Sequence, residues 1–419
     1  MTFPEWQQLP PAEAAREVHH RIRTRLAPGQ QPAVIAALPD EAALAEVFAR
    51  VSRGAPLGGV PYFLKDLFPL AGQPMFAGST FLPEVFPPAD QDCAMVRALQ
   101  DAGGVLAGRT HLHEFAYGIT GENPHYGDCE HPRFPGRTTG GSSSGSAAIV
   151  AAGIAPLAIG TDTGGSVRLP AAFCELFGFR LTPHDALIAD AFPLAPSYDT
   201  AGWFTATAGD MKTAITALIG LPASLEAPGG CYLELPGLDP EVAAACREAA
   251  ATLAPAADAT TRDALLAAFS ASVDAYNTTV ADEAWAIHHP WAERYRERYD
   301  PGVWQRLNRV HSLTTAQRST AQHATATIRN AFKQYFRTFD FLILPASPFA
   351  ALTKADCTLA NRLRILTLTT PASIGGLPVL TIPVALPSGL STGLQIIIPH
   401  PRSPVVSWAL STCPDQLRL

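Results

Sequence analysis

The sequence predicts an α/β fold, and three observations support this prediction. Residues 60–64 are typical of a short buried strand, residues 92–99 of a helix closed by Gly103 and Gly104, and residues 105–108 of the next strand. This alternation of strand and helix characterises α/β sheets. The 419 residues, 47% of them hydrophobic, suffice for one large domain or two. No repeat or linker divides the chain, which favours a single domain over residues 1–419.

Further elements are predicted from periodicity. Residues 11–26 and 40–52 are rich in Ala, Glu and Arg at helical spacing, and Asp40 is placed to cap the second helix. The other predicted elements are an apolar helix over 146–152, two amphipathic helices over 285–309 and 314–336, and buried strands over 154–160 and 341–345.

Composition and charge exclude several classes of function. The formal net charge is −7, and no run of Lys and Arg forms the basic surface that nucleic acid binding needs. No apolar stretch approaches the roughly 18 residues of a membrane span, and the N-terminus lacks the pattern of a secretory signal. Seven scattered cysteines without a CxxC pair favour reduced thiols. We therefore expect a cytoplasmic protein with no membrane or nucleic acid partner.

Neither a cofactor nor a metal is predicted. The G-x-G-x-x-G turn of dinucleotide-binding proteins, with an acid about 20 residues later, is absent as a unit. His111, His113, His125 and His131 lie near one another in the sequence. However, no carboxylate or cysteine completes a recognised metal-binding spacing. These histidines are interpreted as solvated or as hydrogen-bonded within the fold.

Residues 140–168 carry the candidate chemistry. Two turns rich in Gly and Ser, GGSSSGS and GTDTGGS, bracket an apolar run and present hydroxyl groups that can act as nucleophiles. A hydroxyl needs a base to attack. Lys65 ends an apolar run, where burial of an ammonium lowers its pKa and allows it to accept a proton. The pattern therefore predicts a Ser/Ser/Lys site that uses neither histidine nor metal.

The glycines of the second turn also predict an oxyanion hole. They allow successive backbone amides to point into one concavity, where they stabilise a developing negative charge. The predicted donors are the amides of Thr163, Gly164, Gly165 and Ser166.

A competing motif is weaker. Residues 141–145 fit G-x-S-x-G, the nucleophile elbow of α/β-hydrolases, but that motif must follow a buried strand. Residues 131–137 are not a strand pattern, and the elbow would leave residues 161–166 unexplained.

The motifs GVPYFLKD, GGSSSGS and GTDTGGSVRLPAAFC together resemble the amidase signature hydrolases. The resemblance implies a large mixed β-sheet flanked by helices in a single domain. It places a signature core at about 55–215, a variable helical region at about 220–338 and a closing sheet segment at about 339–400. It also implies that Ser166 is the nucleophile, Ser142 a bridging serine on a cis peptide after Gly141, and Lys65 the base. Asp162 and Arg168 would pair and hold the loop.

The segment THLHEFAYGITGENPHYG resembles a family segment that approaches the active site. By this resemblance Phe115, Tyr117, Thr120 and Glu122 are candidates to line the substrate pocket. The alternative is that Phe115 and Tyr117 belong to the core and that Glu122 lies in a turn. Ser373 stands where many members of the family have asparagine, which bears on the shape of the pocket.

The resemblance implies hydrolysis of a small carboxylic amide to an acid and ammonia or an amine, through an acyl-enzyme on Ser166. Two alternatives stay open: an esterase with the same fold, and the glutaminase-type subunit of a tRNA-dependent amidotransferase. The expected partner is the small amide substrate. A homodimer or a small partner subunit is also compatible with the sequence.

Overall fold

The computed structural model describes residues 1–224 and 226–413. Its strands, in chain order, are β1 Ile35–Ala37, β2 Pro61–Lys65, β3 Val105–Thr110, β4 Glu130–His131, β5 Phe134–Thr138, β6 Leu157–Asp162, β7 Phe177–Arg180, β8 Thr200–Thr205, β9 Gly230–Tyr232, β10 Phe341–Pro345, β11 Val379–Ala385 and β12 Ser391–Ile397.

Ten of the strands in the described part of the chain form one sheet, in the order β1-β3-β2-β6-β8-β7-β11-β12-β10-β9. The β2–β3, β2–β6 and β9–β10 pairs are parallel and the other neighbours are antiparallel. Strands β4 and β5 form a separate hairpin. The prediction of a large mixed sheet is confirmed.

Helices cover both faces of this sheet. They are α1 Phe3–Gln8, α2 Pro11–Arg25, α3 Gln31–Val34, α4 Glu41–Arg50, α5 Ala94–Asp101, α6 Ser144–Ala151, α7 Arg168–Phe173, α8 Ala208–Ile219, α9 Pro240–Ala251, α10 Ala259–Phe269, α11 Ser272–His288, α12 Pro301–Asn308, α13 Thr315–Tyr335, α14 Leu359–Gly375 and α15 Val405–Thr412.

Alternation along the central strands builds a core on each face. In β2, Tyr62 and Leu64 join the apolar cluster that contains residues of α5, α8, α9 and α15, whereas Phe63 joins the cluster under α2, α4 and α6. Successive strand residues point to opposite faces, so a strand buried on both sides reads as a continuous apolar run. This explains why β2 is apolar throughout and ends on a buried lysine.

Most predicted elements are confirmed within a few residues. The helices predicted over 11–26 and 40–52 are α2 and α4, and the Asp40 side chain caps α4 by accepting from Ala43 N at 2.8 Å. The strand predicted over 154–160 begins later, at Leu157, because the chain turns at Gly153 (φ +64°).

The prediction of one helix over 285–309 was wrong. Helix α11 ends at His288, and α12 begins only at Pro301, where the Asp300 side chain accepts from Val303 N at 2.7 Å. Pro290 lacks the amide hydrogen that a continuing helix needs, and proline at a first helical position favours a new start. None of the helices in the described ranges is long and apolar enough to cross a lipid bilayer.

Candidate active site

The register of the central sheet brings Lys65 to a cluster of hydroxyl groups. Strands β2 and β6 are parallel neighbours, with Leu64 opposite Ile159, so that their carboxyl ends meet at one edge. The amine of Lys65 lies within hydrogen-bond distance of three hydroxyl oxygens: Ser142 Oγ at 2.7 Å, Ser143 Oγ at 3.0 Å and Thr161 Oγ1 at 2.8 Å. The three contacts match the three hydrogens of an ammonium or the two hydrogens and one lone pair of a neutral amine.

Burial controls the charge of this amine. Lys65 is completely buried, and burial lowers its pKa from 10.5 to about 7, although the negative charges of Asp162 and Asp199 oppose the shift. No carboxylate in the described chain lies within ion-pairing distance of Lys65. A buried lysine surrounded by neutral hydroxyls titrates near neutral pH and can accept a proton there.

Backbone contacts hold Ser142 beside Lys65. The Gly141–Ser142 peptide bond is cis. The Gly141 amide donates to Ile119 O at 2.8 Å, and the His113 amide donates to Ser142 O at 3.2 Å. Helix α6 begins directly afterwards at Ser144. The segment of residues 113–119 therefore packs against the loop that carries Ser142.

Ser166 lies in the second turn and is 4% exposed. Its Oγ has no hydrogen-bond partner among residues 1–224 and 226–413, so the structure does not join it to Ser142 by a hydrogen bond. An uncommitted hydroxyl at the surface of a buried turn has the freedom that a nucleophile requires.

Asp162 organises this turn. Its carboxylate accepts from the amides of Gly165 at 2.9 Å and Val167 at 3.0 Å. It also pairs with Arg168 and Arg180, each at 2.8 Å and each fully buried. Burial raises the pKa of Asp162, but the two guanidinium groups outweigh this effect and hold it well below the ordinary value. The loop around Ser166 is therefore tied to a carboxylate that stays ionised.

The same contact corrects one part of the predicted oxyanion hole. The Gly165 amide already donates to Asp162 Oδ1, so it is not free to bind an oxyanion. The amides of Thr163, Gly164 and Ser166 have no acceptor within the described ranges. These three are the donors that remain.

Three polar partners of the site were not predicted from the sequence. Ser143 and Thr161 bind Lys65, and Asp199 accepts from Thr163 Oγ1 at 2.6 Å. Thr161 follows directly from sheet geometry, because it lies at the carboxyl end of the strand beside β2. Asp199 also accepts from the amides of Leu194 and Ala195 and thereby orders the turn that precedes β8.

A cavity of about 270 Å³ opens beside these residues. Thr161 and Thr163 form part of its wall, next to the free amides, and Asp199 lies at the same wall. The other lining residues are mostly apolar: Leu67, Ala116, His184, Ile188, Ala189, Ala191, Phe192, Pro193, Leu194 and Pro196. The cavity can hold a small, partly apolar molecule.

The predicted pocket residues occupy different places. Phe115 is fully buried and packs against Phe81 and Tyr299, so it belongs to the core, and its neighbour Ala116 lines the cavity instead. Thr120 and Glu122 line a separate cavity of about 260 Å³.

Tyr117 and Glu122 lie near two arginines. The Tyr117 ring stacks under the Arg306 guanidinium at 5.5 Å, and its hydroxyl donates to Arg306 O. Glu122 accepts from Thr120 Oγ1 at 2.7 Å and forms an ion pair with Arg362. Neither Tyr117 nor Glu122 contacts Lys65, Ser142 or Ser166 by a hydrogen bond.

A mixed sheet with a buried amine among serine and threonine hydroxyls defines the class of protein. The chain belongs to the amidase family, because the family model described as Amidase matches residues 30–224 and 230–401.

The chain is similar to proteins with several activities. It is 43% identical over 208 residues, 48% of this chain and 46% of the relative, to an indoleacetamide hydrolase of Pseudomonas syringae pv. syringae. It thus spans about half the length of that relative. It is 32% identical over 404 residues, 83% of this chain and 80% of the relative, to a glutamyl-tRNA(Gln) amidotransferase subunit of Anaeromyxobacter dehalogenans (strain 2CP-C).

The fold is also shared with a solved structure. A crystal structure of an amidase superimposes with a TM-score of 0.85 at 29% identity and covers 99% of this chain and 100% of its own.

Proposed function

We propose that this protein hydrolyses a small carboxylic amide to an acid and ammonia or an amine, through an acyl-enzyme on Ser166. The observation that carries the proposal is the environment of Lys65: a fully buried amine that contacts only neutral hydroxyls. An amine with a pKa of about 7 is a base at neutral pH, and it lies 2.7 Å from Ser142 Oγ.

Hydrogen-bond accounting indicates which hydroxyl gives up its proton. Ser143 Oγ donates to Thr161 O at 3.1 Å, so its own hydrogen is committed and it accepts from the amine. A neutral amine that donates to Ser143 and Thr161 has one lone pair left, which faces Ser142. Ser142 therefore donates to Lys65, and its oxygen is free to take a proton from Ser166.

The chemical steps follow from this relay. Ser166 Oγ attacks the amide carbon as its proton passes to Ser142 and that of Ser142 to Lys65. The carbonyl oxygen becomes an oxyanion, which the amides of Thr163, Gly164 and Ser166 bind. The relay then returns the proton to the leaving nitrogen, and the carbon–nitrogen bond breaks. Water attacks the resulting ester by the same relay and releases the acid and free Ser166.

Two variants test the relay. Ser166→Ala and Lys65→Met remove the nucleophile and the base, and both should lower kcat by more than about 10³-fold, since neither step has a substitute. Lys354→Met removes an exposed lysine and serves as the control. Mass spectrometry of a quenched reaction should find the acyl group on the Ser166 peptide of the wild type. Full activity of Ser166→Ala, or an acyl group elsewhere, would end the assignment.

A glutaminase-type subunit is the second candidate, because the similarity to the amidotransferase protein extends over 83% of this chain. Such a subunit hydrolyses glutamine and works with a partner. Glutamine hydrolysis, together with co-purification of other subunits from cell extract, would favour this function. Turnover of simple amides by the isolated chain favours a free-standing amidase, and matched amide and ester substrates measure any esterase activity.

The proposal includes a cytoplasmic location and leaves the assembly to experiment. All seven cysteines are free in the described chain, as expected for a reducing compartment. Sedimentation of the purified protein distinguishes a monomer from a homodimer, and the same preparation shows whether a small partner protein accompanies it.

A further inference from the structure

Arg306 is a cation without an anionic partner. It lies in α12, and its Nη2 donates to His113 Nε2 at 3.1 Å, while its Nε is buried and has no hydrogen-bond partner. No carboxylate of residues 1–224 or 226–413 lies within ion-pairing distance of Arg306. A guanidinium in this position has lost water without gaining a counter-charge, which is costly unless an anion binds there.

The nearby charges do not neutralise Arg306. Glu122 is paired with Arg362, whose Nε is also buried without a partner. Asp300 is committed to capping α12 through the Val303 amide. Burial and then the charge of Arg362 lower the pKa of Arg306 to about 10. Two guanidinium groups thus lie within electrostatic reach of each other, and only one of them has a carboxylate.

His113 adds a third unpartnered donor. A guanidinium only donates, so His113 Nε2 accepts the bond from Arg306 and the hydrogen lies on Nδ1. That Nδ1 is buried and has no partner. Burial and then the charges of Arg306 and Arg362 hold the pKa of His113 well below its ordinary value, so the ring is neutral. The cluster of Arg306, Arg362 and His113 therefore carries one uncompensated positive charge and three unused N–H donors.

This basic cluster adjoins the candidate active site. The His113 amide donates to the carbonyl of Ser142, and Ala116 of the same segment lines the cavity beside Thr161. The Arg306 guanidinium lies over Tyr117. Burial and then the charge of Tyr117 raise the pKa of Tyr276, whose hydroxyl packs against Gly164. Tyr117 and Tyr276 thus connect Arg306 to the amides that would bind the oxyanion.

We propose that the basic cluster binds a carboxylate of the substrate, so that the substrate class is an amide that bears a second, anionic carboxyl group. The reaction in this inference rests on the proposed amide hydrolysis, but the binding of the anion does not. A carboxylate at Arg306 accepts charge-assisted hydrogen bonds and places a short amide within reach of Ser166. A neutral amide leaves the guanidinium unpaired.

Two isosteric amides test the substrate class directly. Succinamate carries a carboxylate where succinamide carries a second neutral amide. The wild type should have a kcat/KM roughly 10- to 100-fold higher for succinamate, the range expected for charge-assisted bonds to a buried group. Malonamate and glutaramate, compared with their diamides, extend the test to shorter and longer spacings. Equal kcat/KM for anion and diamide throughout the series would overturn the inference.

Variants then assign the preference to Arg306. In Arg306→Gln the ratio of kcat/KM for the preferred anion to that for its diamide should fall to near one, and Arg306→Lys should restore part of it. Arg309→Gln removes an exposed arginine one residue beyond the end of the same helix and should keep the wild-type ratio. A wild-type ratio in Arg306→Gln, or the same loss in Arg309→Gln, would contradict the assignment.

Equilibrium binding separates this inference from the proposed function. Calorimetry with succinate, the product of succinamate hydrolysis, should give binding to the wild type that weakens at least about tenfold in Arg306→Gln. If succinate binds in this way but neither amide is cleaved, the carboxylate site stands and the proposed hydrolysis fails. If both amides are cleaved equally and succinate does not bind, the hydrolysis stands and the carboxylate site is refuted.

Discussion

The lowered pKa of Lys65 makes a quantitative prediction about stability. The amine has a pKa of about 7 in the folded protein and 10.5 when solvated. Between these values the unfolded chain binds one more proton than the folded chain. The free energy of unfolding therefore rises with pH in this window, by about 1–1.4 kcal/mol per pH unit from this group alone. Below pH 7 the folded protein carries the buried charge at its full cost, about 5 kcal/mol.

Lys65→Met isolates this contribution, because methionine removes the charge and nearly preserves the length of the side chain. Buried cysteines and tyrosines with raised pKa values, such as Cys93 and Tyr117, titrate at similar pH but are common to both proteins. Equilibrium urea unfolding from about pH 7.5 to about pH 9 should give a steeper rise of stability with pH in the wild type, by about 1–1.4 kcal/mol per unit. Equal slopes would refute the reasoning.

Kinetics test the same group independently. If Lys65 is the base, kcat/KM of the wild type rises with pH and reaches half its maximum near pH 7, because only the neutral amine accepts a proton. A rise centred near the ordinary lysine pKa of 10.5 would show that burial does not perturb Lys65.

Three further substitutions probe the surroundings of the relay. Ser143→Ala removes one acceptor of the Lys65 amine and should lower kcat about 10- to 100-fold in steady-state assays without loss of fold. Gly165→Ala places a Cβ 3.0 Å from Thr369 at a φ of +126°, so it should shift the turn and lower kcat/KM about 100-fold, whereas Gly209→Ala, with open space around it, should change kcat/KM little. Asp162→Asn leaves two buried arginines without their carboxylate and should reduce the free energy of unfolding by about 3–5 kcal/mol in urea titrations; an unchanged urea midpoint would contradict that account.

The parts of the site that lie within one motif were predictable from the sequence. The turn of residues 161–168 contains its own carboxylate, glycines and serine, so local spacing suffices to place them together. Lys65 was predictable because an apolar run ending in lysine is unusual. The apolar runs of β2 and β6 likewise identified central strands, since strands buried on both faces lose the polar alternation.

Contacts between distant segments depended on the tertiary structure. The sheet register put Thr161 beside Lys65, and the side chain of Asp162 took the Gly165 amide that the motif alone left free. Arg306 and His113 meet across 193 residues, through a helix that the sequence pattern misplaced.

Sequence by itself therefore determined the fold class and the identity of the reactive groups, because short loops and strand periodicity act over a few residues. Tertiary structure alone decided which donors stay free and which charge stays unpaired. Those properties are sums over all neighbours of a buried group, and most of these neighbours are distant in the chain.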